Sequence, residues 1–211
     1  MPHVVLLGDS VFDNAAYVGG GPDVIGQVRE RLGSSSTATL RAVDGALIGT
    51  VASQAARVPN DATHLVVSAG GNDALMHSGI LGEGARSMAE ALDRLAGIAN
   101  YFEREYGAML ETLAARRLPT ALCTIYNPRY PDPVRQRLAV QALAIPNDVI
   151  LRHAFARGFP VIDLRLVCNE DDDYANPIEP ASKGGAKIAD AIVRLVETHD
   201  FGRGRTEVFA R

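Results

Sequence analysis

Five short apolar runs, at residues 3–7, 39–43, 64–68, 120–125 and 160–164, alternate with longer amphipathic segments. Most are continuously apolar rather than alternating, the pattern of parallel strands covered on both faces. Between them apolar positions recur at helical spacing. Val24, Val28 and Leu32 share a face ahead of Gly33, and residues 47–56 read as a short helix before Pro59. From 85 to 117, Met88, Leu92, Leu95 and Ile98 are followed by Phe102, Met109, Leu110 and Leu113, which predicts one long helix or two offset ones. The stretch 133–158 predicts a helix kinked or broken at Pro146, which has no backbone donor to offer. A last helix opens near Ser182 and buries Ile188, Ala189, Ile192, Leu195 and Val196.

Strand–helix alternation over the whole length predicts one three-layer α/β/α domain, residues 1–198, with right-handed crossovers. A polar tail, 199–211, follows; the pattern leaves open whether it docks on the domain, meets a partner or frays. Composition narrows the class. With 47% apolar residues in 211, the chain is not disordered. A net charge of −4 without a Lys/Arg cluster argues against nucleic acid as a partner. The apolar runs fall far short of the roughly 20 residues a membrane span needs, and no basic, apolar, small-residue leader pattern opens the chain. A cytoplasmic location is the expectation. The oligomeric state is not legible. Cys123 and Cys168 lack metal-ligand spacing and read as small core residues.

In an open α/β sheet the site lies beyond the carboxyl ends of the strands. Those ends carry Gly8-Asp9-Ser10, Asp44-Gly45, Gly70-Gly71-Asn72-Asp73, Tyr126-Asn127-Pro128-Arg129 and Asp163-Leu164-Arg165. Each motif alone also makes an ordinary turn. Together they place one hydroxyl after a buried strand, with small residues and an amide at the neighbouring strand ends.

On these residues the chain resembles the SGNH/GDSL hydrolases, serine esterases and lipases on a flavodoxin-like sheet. Gly8-Asp9-Ser10-Val11 is similar to the first family block, with Val for the last Leu; Gly45 falls at the second and Gly70-Gly71-Asn72-Asp73 at the third. The resemblance implies a five-stranded parallel sheet of order 2-1-3-4-5, with Gly45 and Asn72 on either side of Ser10. It also implies acyl transfer on a small-molecule ester. Ser10 would be the nucleophile, and its own N–H, the Gly45 N–H and the Asn72 amide would form the oxyanion hole. Such preorganised donors contribute roughly 2.7–4 kcal/mol apiece. The implied chemistry requires no metal or organic cofactor.

The last family block, Asp-x-x-His-Pro, is where this sequence departs. Asn176-Pro177-Ile178-Glu179-Pro180 stands there, so Asn176 replaces the acid and Glu179 the imidazole. A glutamate near its ordinary pKa of about 4.3 is a weak base; burial would improve it. An Asp at 176 would repel Glu179, whereas Asn can donate a hydrogen bond to it. Three readings follow: Glu179 is the general base, another residue (His77 foremost) substitutes, or the site binds a ligand without turning it over.

The bland readings stand beside these. Asp9, Asp13 and Asp73 are expected to satisfy backbone donors, and Asp163 with Arg165 to form an ion pair that holds the Glu179 loop. The run Glu170-Asp171-Asp172-Asp173 reads as a solvated loop rather than a metal site. Asn127, Arg129 and Tyr130 stand where substrate would pass, with Arg129 a candidate for an anionic leaving group. Gly19-Gly20-Gly21 lacks the residues of a phosphate loop and reads as a flexible border to the site.

Overall fold

A computed structural model describes residues 1–210. In chain order its elements are β1 (His3–Gly8), α1 (Val24–Leu32), β2 (Thr37–Leu40), α2 (Val51–Ala55), β3 (His64–Ser68), α3 (Gly71–Met76), α4 (Met88–Ala114) and β4 (Thr120–Cys123). There follow α5 (Pro133–Arg157), β5 (Val161–Ile162), α6 (Leu164–Val167), β6 (Tyr174–Asn176), β7 (Glu179–Pro180), α7 (Ser182–Thr198) and β8 (Val208–Phe209). β1 to β5 and β8 form one sheet of order β2-β1-β3-β4-β5-β8, parallel throughout, while β6 and β7 pair antiparallel above its carboxyl edge.

Period-two alternation along β1 builds the layers. Val4 and Leu6 face a core shared with α1 and α7, and Val5 and Leu7 one shared with α2, α4 and α5. β1 lies between β2 and β3, so the strand order reverses at its carboxyl end and opens a crevice there.

Two expectations need correction. The sheet has six strands, not five. Val208–Phe209 of the polar tail adds to β5, with Val161 donating to Glu207 O at 2.8 Å and Asp163 to Phe209 O at 2.9 Å. A two-residue strand carries no readable periodicity, and the edge of β5 supplies its template. Nor does Pro146 break the helix: α5 runs through it from Pro133 to Arg157. The proline costs a helix about 3 kcal/mol locally. Burial of Asn147, Val149, Ile150 and Ala154 just beyond holds the course, and Ala142, whose carbonyl lost its donor, borders an open cavity. Of the alternatives for 85–117, the single helix α4 is the one formed.

Glu170, Asp171 and Asp172 of the acidic run are exposed, as expected, and Asp173 departs from the pattern. Asp173 is fully buried and pairs with Lys187 at 2.8 Å, and Glu170 and Asp172 pair with Lys183 at 2.7 and 3.0 Å. These pairs staple the loop to α7. The backbone itself approaches Gly184 so closely that a Cβ there would lie 2.2 Å from Asp173 O. Among the described residues no cluster of His, Cys, Asp and Glu is arranged to hold a metal ion, and no helix is long and apolar enough to cross a membrane.

Candidate active site

β1 ends at Gly8, whose φ of +124° turns the chain sharply before Asp9 and Ser10. A Cβ at residue 8 would fall 1.6 Å from Ser68 O, so only glycine fits this approach of β1 to β3. Buried Gln54 holds the turn from the other side. Its Oε1 accepts from Gly8 N at 2.7 Å and its Nε2 donates to Gly8 O at 2.8 Å. Asp9 Oδ1 accepts from Val11 N, and Asp13 Oδ2 accepts from Asp44 N at 2.9 Å, tying the Ser10 segment to the turn after β2. Both aspartates thus take the backbone roles expected of them.

Ser10, Asn72 and Glu179 line one cavity of about 820 Å³. Asn72 sits in the first turn of α3. Its amide donates to Ala46 O at 3.0 Å, which leaves the second amide hydrogen uncommitted. Asp73 Oδ2 accepts from Ile48 N at 3.0 Å, so α3 is fastened to the loop that carries Gly45. Gly45 itself, at φ +74°, lies in that exposed turn. Among the described residues, neither the Ser10 N–H nor the Gly45 N–H finds an internal acceptor.

Glu179 opens β7 and is 7% exposed. Three contacts place its segment. Buried Asn14 donates to Pro180 O at 3.1 Å, Tyr126 Oη donates to Ile178 O at 2.5 Å, and Arg129 N donates to Pro177 O at 2.7 Å. Burial raises the Glu179 pKa above the usual carboxylate range, the Ser10 hydroxyl pulls it down, and the charge of Asp44 pushes it up. The hydroxyl therefore stands beside the carboxylate, yet Oε2 is sealed from solvent with no hydrogen-bond partner. The two groups approach without closing a hydrogen bond of full geometry.

Asn176 does something other than expected. It is exposed, and its Oδ1 accepts from Ile178 N and Glu179 N at 3.0 and 3.1 Å, capping the turn. Its amide does not reach the Glu179 carboxylate, because the side-chain oxygen is drawn to the two backbone donors of its own turn. Its part is to shape the backbone that carries Glu179.

Asp9 shares the pocket floor. It is 3% exposed, and burial together with the charges of Glu179 and Asp73 pushes its pKa up to about 7. Asp73 is raised as well, chiefly by burial. Tyr17 Oη donates to Asp44 Oδ2 at 2.8 Å, which with its surroundings lifts the phenol to about 12. Polar groups thus cluster on the β2 side of Glu179.

Of the other candidates, His77 caps α3, meets Tyr101 edge-on at 5.1 Å and borders the same cavity as Ser10. Arg129 is committed elsewhere. Its guanidinium donates to Asn169 O at 2.7 Å, pairs with Asp171 at 3.2 Å and lies over the Tyr174 ring, so it does not face the cavity as a free cation. Tyr130 does border the cavity. Asp163 pairs with Arg165 as anticipated, at 2.6 Å, and also accepts from Thr124 Oγ1. Of the glycine run, Gly21 packs against Ser182 at the start of α7.

Sequence reasoning passed over Gln54, Asn147 and Asn14, the amides that secure the strand ends. Asn147 grips Ile125 after β4 through both backbone groups, as Gln54 grips Gly8. For Gln54 and Asn147 the only signal is an amide in a helical stretch, and for Asn14 an amide in a loop, which spacing alone does not assign to a partner.

The comparisons agree with this fold. The model of the GDSL-like lipase/acylhydrolase family matches residues 6–184. No curated protein sequence matches the chain. Among solved structures, the lipase Lip_vut3 from a goat rumen metagenome is similar at a TM-score of 0.72 and 17% identity, over 95% of this chain and 100% of that one. An extracellular lipase from Streptomyces rimosus is similar at 0.65 and 16%, over 89% and 96%. Est24, a carbohydrate acetylesterase from Sinorhizobium meliloti, is similar at 0.63 and 13%, over 93% and 99%. At such identities the structures establish the shared fold, while the family model covers most of the sequence. The chain belongs to the GDSL-like lipase/acylhydrolase family and is a hydrolase of that family.

Proposed function

We propose that the chain hydrolyses carboxylic esters with Ser10 as nucleophile and Glu179 as general base. Ser10 Oγ attacks the carbonyl carbon and its proton passes to the Glu179 carboxylate. The Ser10 N–H, the Gly45 N–H and the free Asn72 amide hydrogen meet the oxyanion. Collapse breaks the bond to the alcohol oxygen, which leaves with the proton held by Glu179. Water then attacks the acyl-serine, Glu179 takes its proton, and that proton returns to Oγ as the acid departs.

One observation carries this reading: the Glu179 carboxylate is buried beside the Ser10 hydroxyl with Oε2 unpartnered. A glutamate so placed is a stronger base than a solvated one, and a serine proton would satisfy its orphaned oxygen. The two unpartnered backbone N–H groups support the same assignment. The fold relatives described as lipases and as a carbohydrate acetylesterase are consistent with ester substrates in general.

The test is kcat/KM on 4-nitrophenyl butyrate for wild type, Ser10→Ala, Glu179→Gln and His77→Ala. Glu179→Gln is expected to lose about 10²–10⁴-fold, the usual contribution of a general base. Wild-type kcat/KM should rise with pH as Glu179 ionises, with a midpoint above the ordinary carboxylate range. An active Glu179→Gln beside a dead His77→Ala would transfer the role to His77. Absence of turnover in wild type on a broad ester panel would leave a ligand-binding site.

A further inference from the structure

The two longest helices do not match the sheet they cover. α4 has 27 residues and α5 has 25, about 40 and 37 Å of helix. The longest strand, β1, has six residues and spans about 20 Å. The surplus lies at the helices' N-terminal ends, above the carboxyl edge of the sheet. Phe102 and Asn147 show where each helix meets that edge. The Phe102 ring packs on Gly70 after β3, and Asn147 grips Ile125 after β4. Before those residues, both helices stand clear of the core.

The overhanging faces are apolar and lie outside both core clusters. Leu95 and Ile98 on α4 and Val134, Leu138 and Leu143 on α5 line the cavity that holds Ser10. Val134 and Leu138 are 51% and 44% exposed. An unfilled apolar face of this size normally marks a binding site. Apart from Asp9 and Glu179 beside the nucleophile, the cavity's charged carboxylate and guanidinium side chains are Asp132 and Arg135, both in the opening turn of α5. The trench offers an uncharged chain apolar contacts along its length, and the polar side chains His77, Ser78, Tyr130, Asp132 and Arg135 that also line the cavity come from the segments after α3 and around the start of α5.

Direction follows from where the proton must go. The leaving oxygen takes its proton from Glu179, on whose far side Asp44 and Tyr17 make a polar border. Asp44 and Tyr17 do not line the cavity, whose apolar wall comes from α3, α4 and α5, the helices that follow β3 and β4. Resting on the ester-hydrolase reading above, we infer that the substrate is an ester of a long, unbranched fatty acid with a polar alcohol, its acyl chain lying in the trench between α4 and α5.

The test has two arms. The first measures kcat/KM on monomeric 4-nitrophenyl acetate, butyrate, hexanoate, octanoate and decanoate, and on the alkyl esters ethyl decanoate and decyl acetate, whose alkoxide leaving groups are equally poor. Each methylene entering the trench should raise kcat/KM about two- to fourfold, and ethyl decanoate should exceed decyl acetate. In Leu138→Glu the decanoate-to-acetate ratio should fall at least tenfold, a ratio that partial unfolding would not move. The second arm titrates decanoate into Ser10→Ala by calorimetry, and saturable binding is expected. A flat chain-length series with no decanoate binding overturns the inference and leaves the hydrolase reading intact. A preference for decyl acetate overturns the acyl direction. Decanoate binding by Ser10→Ala, with no ester hydrolysed by wild type, sustains the trench as a fatty-chain site and overturns the hydrolase reading instead.

Discussion

Replacing Asp9 by Asn should make the protein more stable, and increasingly so as pH rises. Asp9 is 3% exposed, its Oδ1 accepts from Val11 N, and its neighbours Glu179 and Asp73 repel its charge. In the folded chain its pKa is pushed up to about 7, whereas the unfolded value lies near 3.8. Folded Asp9 therefore holds a proton that the unfolded chain releases. Below the unfolded value both states are protonated and there is no penalty. Between about pH 4 and pH 7 the penalty grows by up to about 1.4 kcal/mol per pH unit, and above pH 7 it is complete at about 4 kcal/mol. Asparagine keeps the Val11 bond and carries no charge at any pH. Urea denaturation of wild type and Asp9→Asn at several pH values from about 4 to about 8 measures the effect. The two should coincide in acid and separate by up to about 4 kcal/mol in mild base. The burial of Glu179 and Asp73 is common to both proteins, while their repulsion of Asp9 is part of the difference. Curves that stay parallel to within about 1 kcal/mol would refute a protonated, uncompensated acid beneath the nucleophile.

Other substitutions test the frame around the site. Gln54→Ala strands the buried N–H and C=O of Gly8 and should cost about 2–4 kcal/mol in urea denaturation, with a fall in activity because Ser10 follows that turn. Gly8→Ala, forced to a φ of +124° against Ser68 O, should lose about 3 kcal/mol or more and yield little folded protein on thermal unfolding. Asn14→Ala frees Pro180 O and Val24 N and should cost about 1–3 kcal/mol, while kcat falls more than KM rises because β7 carries Glu179. Phe209→Ala should lower stability by about 3 kcal/mol and speed hydrogen exchange at the Val161 and Asp163 amides, which pair with the tail. Unchanged exchange there would show that the sixth strand does not depend on the Phe209 anchor.

Much of the architecture was open to reading because it follows from local pattern. Short continuous apolar runs alternating with helical patterns read as strands covered on both faces, and the motifs at their ends fall by topology on one edge of the sheet. Ser10 and Asn72, read from strand ends, and Glu179, read from the family resemblance, line one cavity. Asn176 shows where such reading stops. Residue types at 176 and 179 suggested an amide N–H serving a carboxylate, but the backbone donors of the turn capture the side-chain oxygen and fix its orientation by proximity. Pro146 is a similar case, since a local helix penalty was outweighed by burial of the turn beyond it. Arg129 likewise found partners in the 169–174 loop, about 40 residues away in sequence.

By itself the sequence determined the layered sheet and the hydroxyl after its first strand, because each resides in contiguous stretches whose pattern is local. Tertiary structure decided the rest. Tyr126, Arg129 and Asn14 bring β7 to Ser10, the edge of β5 recruits the tail as a sixth strand, and the mismatch between long helices and short strands opens the trench. These features arise between segments distant in sequence. Desolvation of Glu179 and Asp9, and the room above Ser10, are set by what the rest of the chain places around them.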